Sequence, residues 1–165
     1  MKRIIFIRHA KAEELTPEKL DFERSLTLKG KEVSHLMSKY LRRNNESLGT
    51  IVSSPAFRAI ETALIFAREF GADLSEVVLN SEIYDNFNEK ALKKIFASTS
   101  DDSDIITLFG HNFSFTDLAS ALSKEGCEEI PKTGIVSLAF NVKSWEDIKP
   151  GTGKIEYFLK PKNIL

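Results

Sequence analysis

The stretch Ile4-Ile5-Phe6-Ile7-Arg8-His9-Ala10 decides the expected fold. Four consecutive large apolar residues, 4–7, are typical of a β-strand that is covered on both faces, as in a parallel sheet. Arg8 and His9 follow this strand directly. Ligands of open α/β sheets bind beyond the carboxyl ends of the strands, so we expect Arg8 and His9 at a functional edge.

Strand and helix patterns alternate along the rest of the chain. Further strands are predicted at 50–53, 77–79, 104–109, 135–140 and 154–159. This order predicts one α/β domain over residues 1–165, a three-layer sandwich with a mostly parallel central sheet and helices on both faces. The last two strands are expected to pair as an antiparallel extension.

The helices have predictable ends and apolar faces. Predicted N-terminal signals are Thr27, Ser54-Pro55, Asn88 and Asn112, and predicted ends are Asn44-Asn45 and Gly71. The expected buried positions are Val33, Leu36, Met37, Tyr40 and Leu41, then Phe57, Ile60, Leu64 and Ala67, then Leu92, Ile95 and Phe96, and finally Phe115, Leu118, Ala119 and Leu122.

Composition excludes several classes of protein. The chain has 165 residues, with 23 Lys and Arg against 24 Asp and Glu, and this balance argues against a general nucleic-acid binder. No apolar run approaches the roughly 20 residues of a membrane span. The single Cys127 excludes an internal disulfide and a Cys-based zinc site, and it favours a cytoplasmic location.

Two other strand ends carry residues that bind anions. The second strand is followed by Ser53-Ser54-Pro55 and then Arg58, and the fourth is followed by Gly110-His111-Asn112. Taken singly, an Arg or His at such a place is more often structural. Together with Arg8 and His9, they place guanidinium forks, helix N-termini and imidazoles at one edge, a combination suited to phosphate. An imidazole there is a candidate nucleophile for phosphoryl transfer.

Two other phosphatase chemistries do not fit. Asp102-Ser103-Asp104 has the spacing of an aspartate nucleophile motif, but it precedes a strand instead of following one. Cys127 is followed by Glu128-Glu129-Ile130-Pro131-Lys132, which lacks the Arg of a Cys-based phosphate loop, and acidic neighbours raise a thiol pKa.

The ordered motifs resemble those of the histidine phosphatase superfamily, which has the phosphoglycerate mutase-like fold. Arg8-His9-Ala10 resembles its Arg-His-Gly signature, with Ala in place of Gly. The stretches that resemble its other blocks are 21–30, 53–63 and 109–112, and the tail 131–162 resembles the short SixA-type branch of phosphohistidine phosphatases.

The resemblance implies a covalent mechanism. His9 would attack phosphorus and become a phosphohistidine, while Arg8, Arg58 and His111 hold the phosphoryl oxygens together with Arg24. No metal and no cofactor would be needed. Asp85 is the preferred acid–base residue, with Glu82 as the alternative and a third possibility that neither serves.

The resemblance also implies a partner. Short connections predict an open, shallow site, which suits a phosphohistidine presented by a signalling or phosphotransfer protein. The alternatives are a small-molecule phosphomonoesterase of the same superfamily and a non-catalytic phosphate-binding regulatory domain. A mutase is disfavoured, because only about 24 residues separate Leu79 from Asp104, too few for a lid domain.

Overall fold

A computed structural model describes residues 1–44 and 47–165 of the chain. The strands are β1 (Lys2–Arg8), β2 (Thr50–Ser53), β3 (Val78–Leu79), β4 (Ile105–Gly110), β5 (Ile135–Phe140) and β6 (Lys154–Leu159). The helices are α1 (Leu28–Arg43), α2 (Phe57–Glu69), α3 (Glu89–Ser98), α4 (Ser114–Leu122) and α5 (Pro161–Ile164). Short 3-10 turns lie at Asp21–Glu23, Leu74–Glu76, Ser81–Ile83 and Trp145–Asp147.

The strands form one six-stranded sheet in the order β3-β2-β4-β1-β5-β6. The pairs β3–β2, β2–β4 and β4–β1 are parallel, whereas β5 runs antiparallel to β1 and β6 antiparallel to β5. The predicted mostly parallel sheet with an antiparallel extension is therefore confirmed. The predicted strand limits differ from the observed ones by no more than two residues.

Two hydrophobic clusters cover the two faces of the sheet, which confirms the predicted layers. One packs α3 and α4 against alternate residues of β1 and β4, including Phe6 and Leu108. The other packs α1 and α2 against the intervening residues, including Ile5 and Phe109. The alternation follows from the pleat, which sends successive side chains to opposite faces.

The predicted apolar faces of α1 and α2 are partly wrong. Leu36, Tyr40 and Phe57 are exposed. Helix α1 buries the predicted Met37 and Leu41 together with the small residues Ser34 and Ser38, and it packs against α2. Helix α2 turns Arg58 inwards, and this rotates its neighbour Phe57 towards solvent.

Two of the predicted helix starts also need correction. Helix α2 begins at Phe57, and Ala56 is its N-terminal cap. Ser54 lies before this cap, where its Oγ accepts a hydrogen bond from the Ala56 amide. Helix α4 begins at Ser114, and Asn112 lies before it while still accepting from the Thr116 amide.

Other helix boundaries follow the prediction. The side chains of Thr27 and Asn88 accept from the Gly30 and Ala91 amides, and Gly71 follows the end of α2 with φ of 68°. The predicted end of α1 is confirmed at Asn44, its C-terminal cap. Asn45 lies outside the described residues.

None of the helices within residues 1–44 and 47–165 combines the length and apolar character needed to cross a bilayer.

Gly30 fixes the segment that leads from β1 into α1. A Cβ at this position would lie 2.2 Å from the carbonyl oxygen of Lys11. The same oxygen accepts from the amide of Thr27, and an isolated bridge joins Ala12 to Leu26. The close approach ties both ends of the intervening loop to α1.

Gly30→Ala should therefore destabilise the protein by about 1–3 kcal/mol, the usual cost of forcing extra atoms into a packed contact. Urea unfolding measures this loss. Lys29→Ala, at an exposed position of the same turn, is the control and should change stability by less than about 0.5 kcal/mol. Equal stability of Gly30→Ala and wild type would contradict the close approach.

Candidate active site

Three neighbouring strands bring the predicted site residues to one edge of the sheet. His9 follows β1, Ser54 follows β2 and His111 follows β4, and β4 lies between the other two strands. Backbone hydrogen bonds continue past the strand ends, since the His9 amide donates to Gly110 and the Ser54 amide donates to Phe109. The three side chains are thus placed by rigid sheet backbone.

The hydrogen bond made by His9 defines its tautomer. Its Nδ1 lies 2.7 Å from the carbonyl oxygen of Ala10. A carbonyl accepts hydrogen bonds only, so Nδ1 carries the proton and Nε2 carries the lone pair. Burial lowers the pKa of His9 to about 3, and the charges of Arg58 and Arg8 contribute to the shift. At pH 7 the ring is neutral, as a nucleophilic nitrogen must be.

His111 faces His9 across the site, with ring centroids 5.2 Å apart. Its Nε2 lies 2.8 Å from Ser54 Oγ, and its Nδ1 is buried without a partner among the described residues. When the Ser54 hydroxyl donates to Nε2, Nδ1 carries a proton that is available to an anion. Burial, together with the charge of Arg58, lowers the pKa of His111 to about 4.

Arg58 is buried and held by Asp21. One terminal nitrogen donates to the backbone oxygen of Asp21 at 2.7 Å, and the other donates to Asp21 Oδ2 at 3.0 Å. Arg24 donates to Oδ1 of the same carboxylate at 2.8 Å. Asp21 therefore joins both arginines, one to each of its oxygens. Arg24 is connected to Arg58 through Asp21, and its Nε also donates to the backbone carbonyl of Glu13.

Asp21 stays ionised at any pH at which the protein is expected to work. Partial burial alone would raise its pKa, but hydrogen bonds from Arg24, Tyr84 and Arg58 outweigh burial and lower the pKa to about 2. Its role was missed from the sequence, although it begins the Asp-x-x-Arg block. The signal was available, because a carboxylate three residues before an Arg commonly pairs with it.

Arg8 is held by the segment between α4 and β5. Its terminal nitrogen donates to the Ile130 carbonyl at 2.9 Å and lies 3.8 Å from Glu129. Within the described part of the chain, the Nε atoms of Arg8 and Arg58 are both buried without a hydrogen-bond partner. Two guanidinium N–H groups and one imidazole nitrogen are thus unsatisfied around His9, and an oxyanion would satisfy them.

The segment around Glu82 and Asp85 is predicted to supply an acid. It contributes Tyr84 to the hydrogen-bonded group around Asp21. The Tyr84 hydroxyl donates to Asp21 Oδ2 at 3.0 Å, and its ring lies edge-on to His111. Glu82 is engaged in an ion pair with Lys94 at 2.6 Å. Asp85 is exposed and lines a small cleft together with Glu82 and Lys94. The role of Asp85 stays a prediction, and Tyr84 was missed from the sequence.

The long motif around Arg58 also has a structural function. Thr62 Oγ1 donates to the Arg58 carbonyl and accepts from the Ala10 amide, so α2 is tied to the residue after His9. Glu61 accepts from the Leu26 amide and so holds the loop that carries Asp21. The Glu-Thr pair of the motif thus positions the site without entering it.

The remaining candidates lie elsewhere. Asp104 pairs with the buried Lys2 at the amino end of β1, which is the opposite edge of the sheet. Burial, followed by the charge of Glu128, raises the pKa of the Cys127 thiol, which makes it a poor nucleophile. Among the described residues, no three His, Cys, Asp or Glu side chains are grouped to hold a metal ion.

Comparison with solved structures shows the same fold in known phosphatases. The protein histidine phosphatase SixA complexed with tungstate superposes with a TM-score of 0.84 at 19% identity, over 99% of each chain. A SixA described as a putative phosphohistidine phosphatase, from Agrobacterium tumefaciens, gives 0.79 at 25% identity, covering 97% of this chain and 98% of that one. A mycobacterial glucosyl-3-phosphoglycerate phosphatase complexed with VO3 gives 0.68 at 14%, covering 95% and 98%.

A family model identifies the superfamily to which the chain belongs. A family model for the histidine phosphatase superfamily (branch 1) matches residues 4–94. The chain belongs to that superfamily, as its motifs predict. No curated protein sequence matches the chain significantly.

The two buried histidines should make stability depend on pH. Their folded-state pKa values lie below the ordinary 6.5, so the unfolded chain binds protons more readily as pH falls through 6.5. Each should contribute a loss of about 1.4 kcal/mol in the free energy of unfolding between pH 7.5 and 5.5.

Urea unfolding of wild type and His9→Gln at the two pH values measures this contribution. On acidification, His9→Gln should lose about 1.4 kcal/mol less of its free energy of unfolding than wild type loses. The control His35→Gln, which replaces the exposed histidine of α1, should keep the wild-type pH dependence. A wild-type slope in His9→Gln would contradict the neutral, buried state of His9.

Proposed function

We propose that residues 1–165 form a single cytoplasmic histidine phosphatase domain that works through a phosphohistidine intermediate on His9, without a metal or cofactor. One observation carries the proposal. The neutral His9 ring lies close to Arg8, Arg58 and His111, which carry buried nitrogen atoms without a hydrogen-bond partner in the described part of the chain. A nucleophile is thus combined with donors suited to the charge of a phosphoryl group.

The first step is attack on phosphorus. The Nε2 lone pair of His9 forms a bond to phosphorus while the bond from phosphorus to the leaving atom breaks. Arg8, Arg58 and His111 neutralise the charge on the equatorial oxygens, and this electrostatic stabilisation is the main contribution that proteins make to phosphoryl transfer. Arg24 contributes through Asp21, which orients Arg58.

The second step releases phosphate. A water oxygen bonds to phosphorus, the Nε2–phosphorus bond breaks and the proton of water leaves with solvent or a nearby base. The first step needs a proton for the leaving group, for which Asp85 remains the proposed donor. A protonated imidazole leaves readily, so a phosphohistidine substrate depends less on such an acid than a phosphate ester does.

The substrate we propose is phosphohistidine on a signalling or phosphotransfer protein. Support comes from the connection between β3 and β4, which contains only the turn Ser81–Ile83 and α3. No inserted domain walls the site there, so a small ligand would find few contacts beyond its phosphoryl group. The surface of a protein substrate supplies the binding energy that the site itself lacks.

His9→Ala should abolish turnover and leave the fold intact, because the β1 backbone does not depend on this ring. The assay measures phosphate release in excess chelator, and acid-labile phosphate on the protein is measured after rapid quenching. Wild type should release phosphate and carry acid-labile phosphate, whereas His9→Ala should do neither. The control His35→Ala should behave as wild type. Substantial turnover by His9→Ala would overturn the covalent mechanism, and loss of wild-type activity in chelator would overturn metal independence.

The value of kcat/KM for a phosphohistidine protein should exceed that for a sugar phosphate by at least about tenfold, or ~1.4 kcal/mol of transition-state binding. A histidine-phosphorylated carrier protein, phosphoglycerate and a sugar phosphate are compared at equal concentration. A preference for either small ester would leave the superfamily assignment intact and overturn the proposed substrate.

A further inference from the structure

Large apolar side chains are exposed beside the residues of the candidate active site. Of the twelve phenylalanines, all within the described residues, only Phe57 and Phe113 are exposed, at 42% and 66%. Phe57 precedes Arg58, and Phe113 lies two residues after His111. Leu20, 69% exposed, precedes Asp21. We call Leu20, Phe57 and Phe113 the apolar rim.

The rim is built from three separate segments. Leu20 lies on the loop between β1 and α1, Phe57 begins α2 and Phe113 immediately precedes α4. Helices α2 and α4 pack on opposite faces of the sheet. Phe57 and Phe113 therefore flank the carboxyl edge of β2 and β4 from its two sides, with the cationic site between them.

Ring contacts connect part of the rim to the site. The Phe57 ring lies 5.9 Å from that of Phe22, Phe22 lies 5.3 Å from Tyr84 and Tyr84 lies 5.6 Å from His111. The rim is thus supported by the same packing that orients the site. A partner seated on Phe57 would be held at a fixed distance from His9.

We propose that the apolar rim is the docking surface for the phosphorylated protein, a proposal that rests on the proposed function. The partner presents its phosphorylated side chain to Arg8 and Arg58, while apolar side chains on either side of it contact Phe57 and Phe113. The charge of the site complements the phosphoryl group, and the rings complement the apolar surface beside it. Exposed aromatic residues around a polar centre are typical of protein interfaces.

The arrangement favours a protein over a small phosphate ester. A small ester whose phosphorus contacts His9 is confined to the edge between the two helix starts. A protein surface extends across both sheet faces and contacts both rings together. The rim should therefore affect the binding of a protein substrate and leave the chemistry at His9 unchanged.

The test compares two substrates that share a phosphorus–nitrogen bond and differ in size. One is a histidine-phosphorylated carrier protein, and the other is phosphoramidate, which has no protein surface. The double variant Phe57→Ser/Phe113→Ser should raise KM for the carrier protein at least about tenfold with little change in kcat. Its kcat/KM for phosphoramidate and its affinity for tungstate should stay within about twofold of wild type.

Leu36→Ser is the matched control, because Leu36 is also 42% exposed but lies on α1, outside the rim. It should leave both substrates unaffected, and thermal unfolding of each variant confirms that the fold is retained. A tenfold loss with the carrier protein alone supports the docking surface. Equal losses with both substrates, or no loss with either, would overturn it.

Measurements on the wild-type protein distinguish a failure of this proposal from a failure of the proposed function. Hydrolysis of the carrier protein by wild type supports the function, and the variants then decide the docking surface on their own. Hydrolysis of phosphoramidate without hydrolysis of the carrier protein would overturn the protein substrate and the docking surface together, while leaving the role of His9 standing.

Discussion

The parallel pairing of β1, β4 and β2 is the constraint on which the candidate site depends. Parallel strands end at the same edge, and here their ends carry His9, His111 and Ser54. Continued backbone hydrogen bonds beyond the strands leave these residues little freedom. Under the proposed function, this preorganisation means that no rearrangement is needed before charge develops on a substrate.

The charges of the candidate site are balanced while His9 stays neutral. Burial keeps both histidines neutral, so the positive charge of the site is carried by the arginine guanidinium groups. Asp21 offsets part of that charge and fixes Arg58 in place. The carboxylate thus makes a buried guanidinium tolerable when no anion is bound, which would otherwise cost several kcal/mol.

Much of the fold and the composition of the site could be predicted from the sequence. Residues 4–7 identify a buried strand, and Thr27 and Asn88 cap helices as expected. Strands and helices also alternate along the chain as predicted. The faces of α1 and α2 could not be predicted from apolar spacing. Arg58 has to point inwards to meet Asp21, and this turns Phe57 outwards against its hydrophobicity.

The sequence by itself determined which chemical groups follow each strand, because those groups are local features and the rule for parallel sheets places them at one edge. Only the tertiary structure decided how the groups are connected. Asp21 and Tyr84 are 63 residues apart and meet through a single hydrogen bond at 3.0 Å. The tautomer of His9 is likewise decided by one contact with Ala10. Such pairings depend on how loops pack over the sheet edge, and neither periodicity nor spacing encodes that packing.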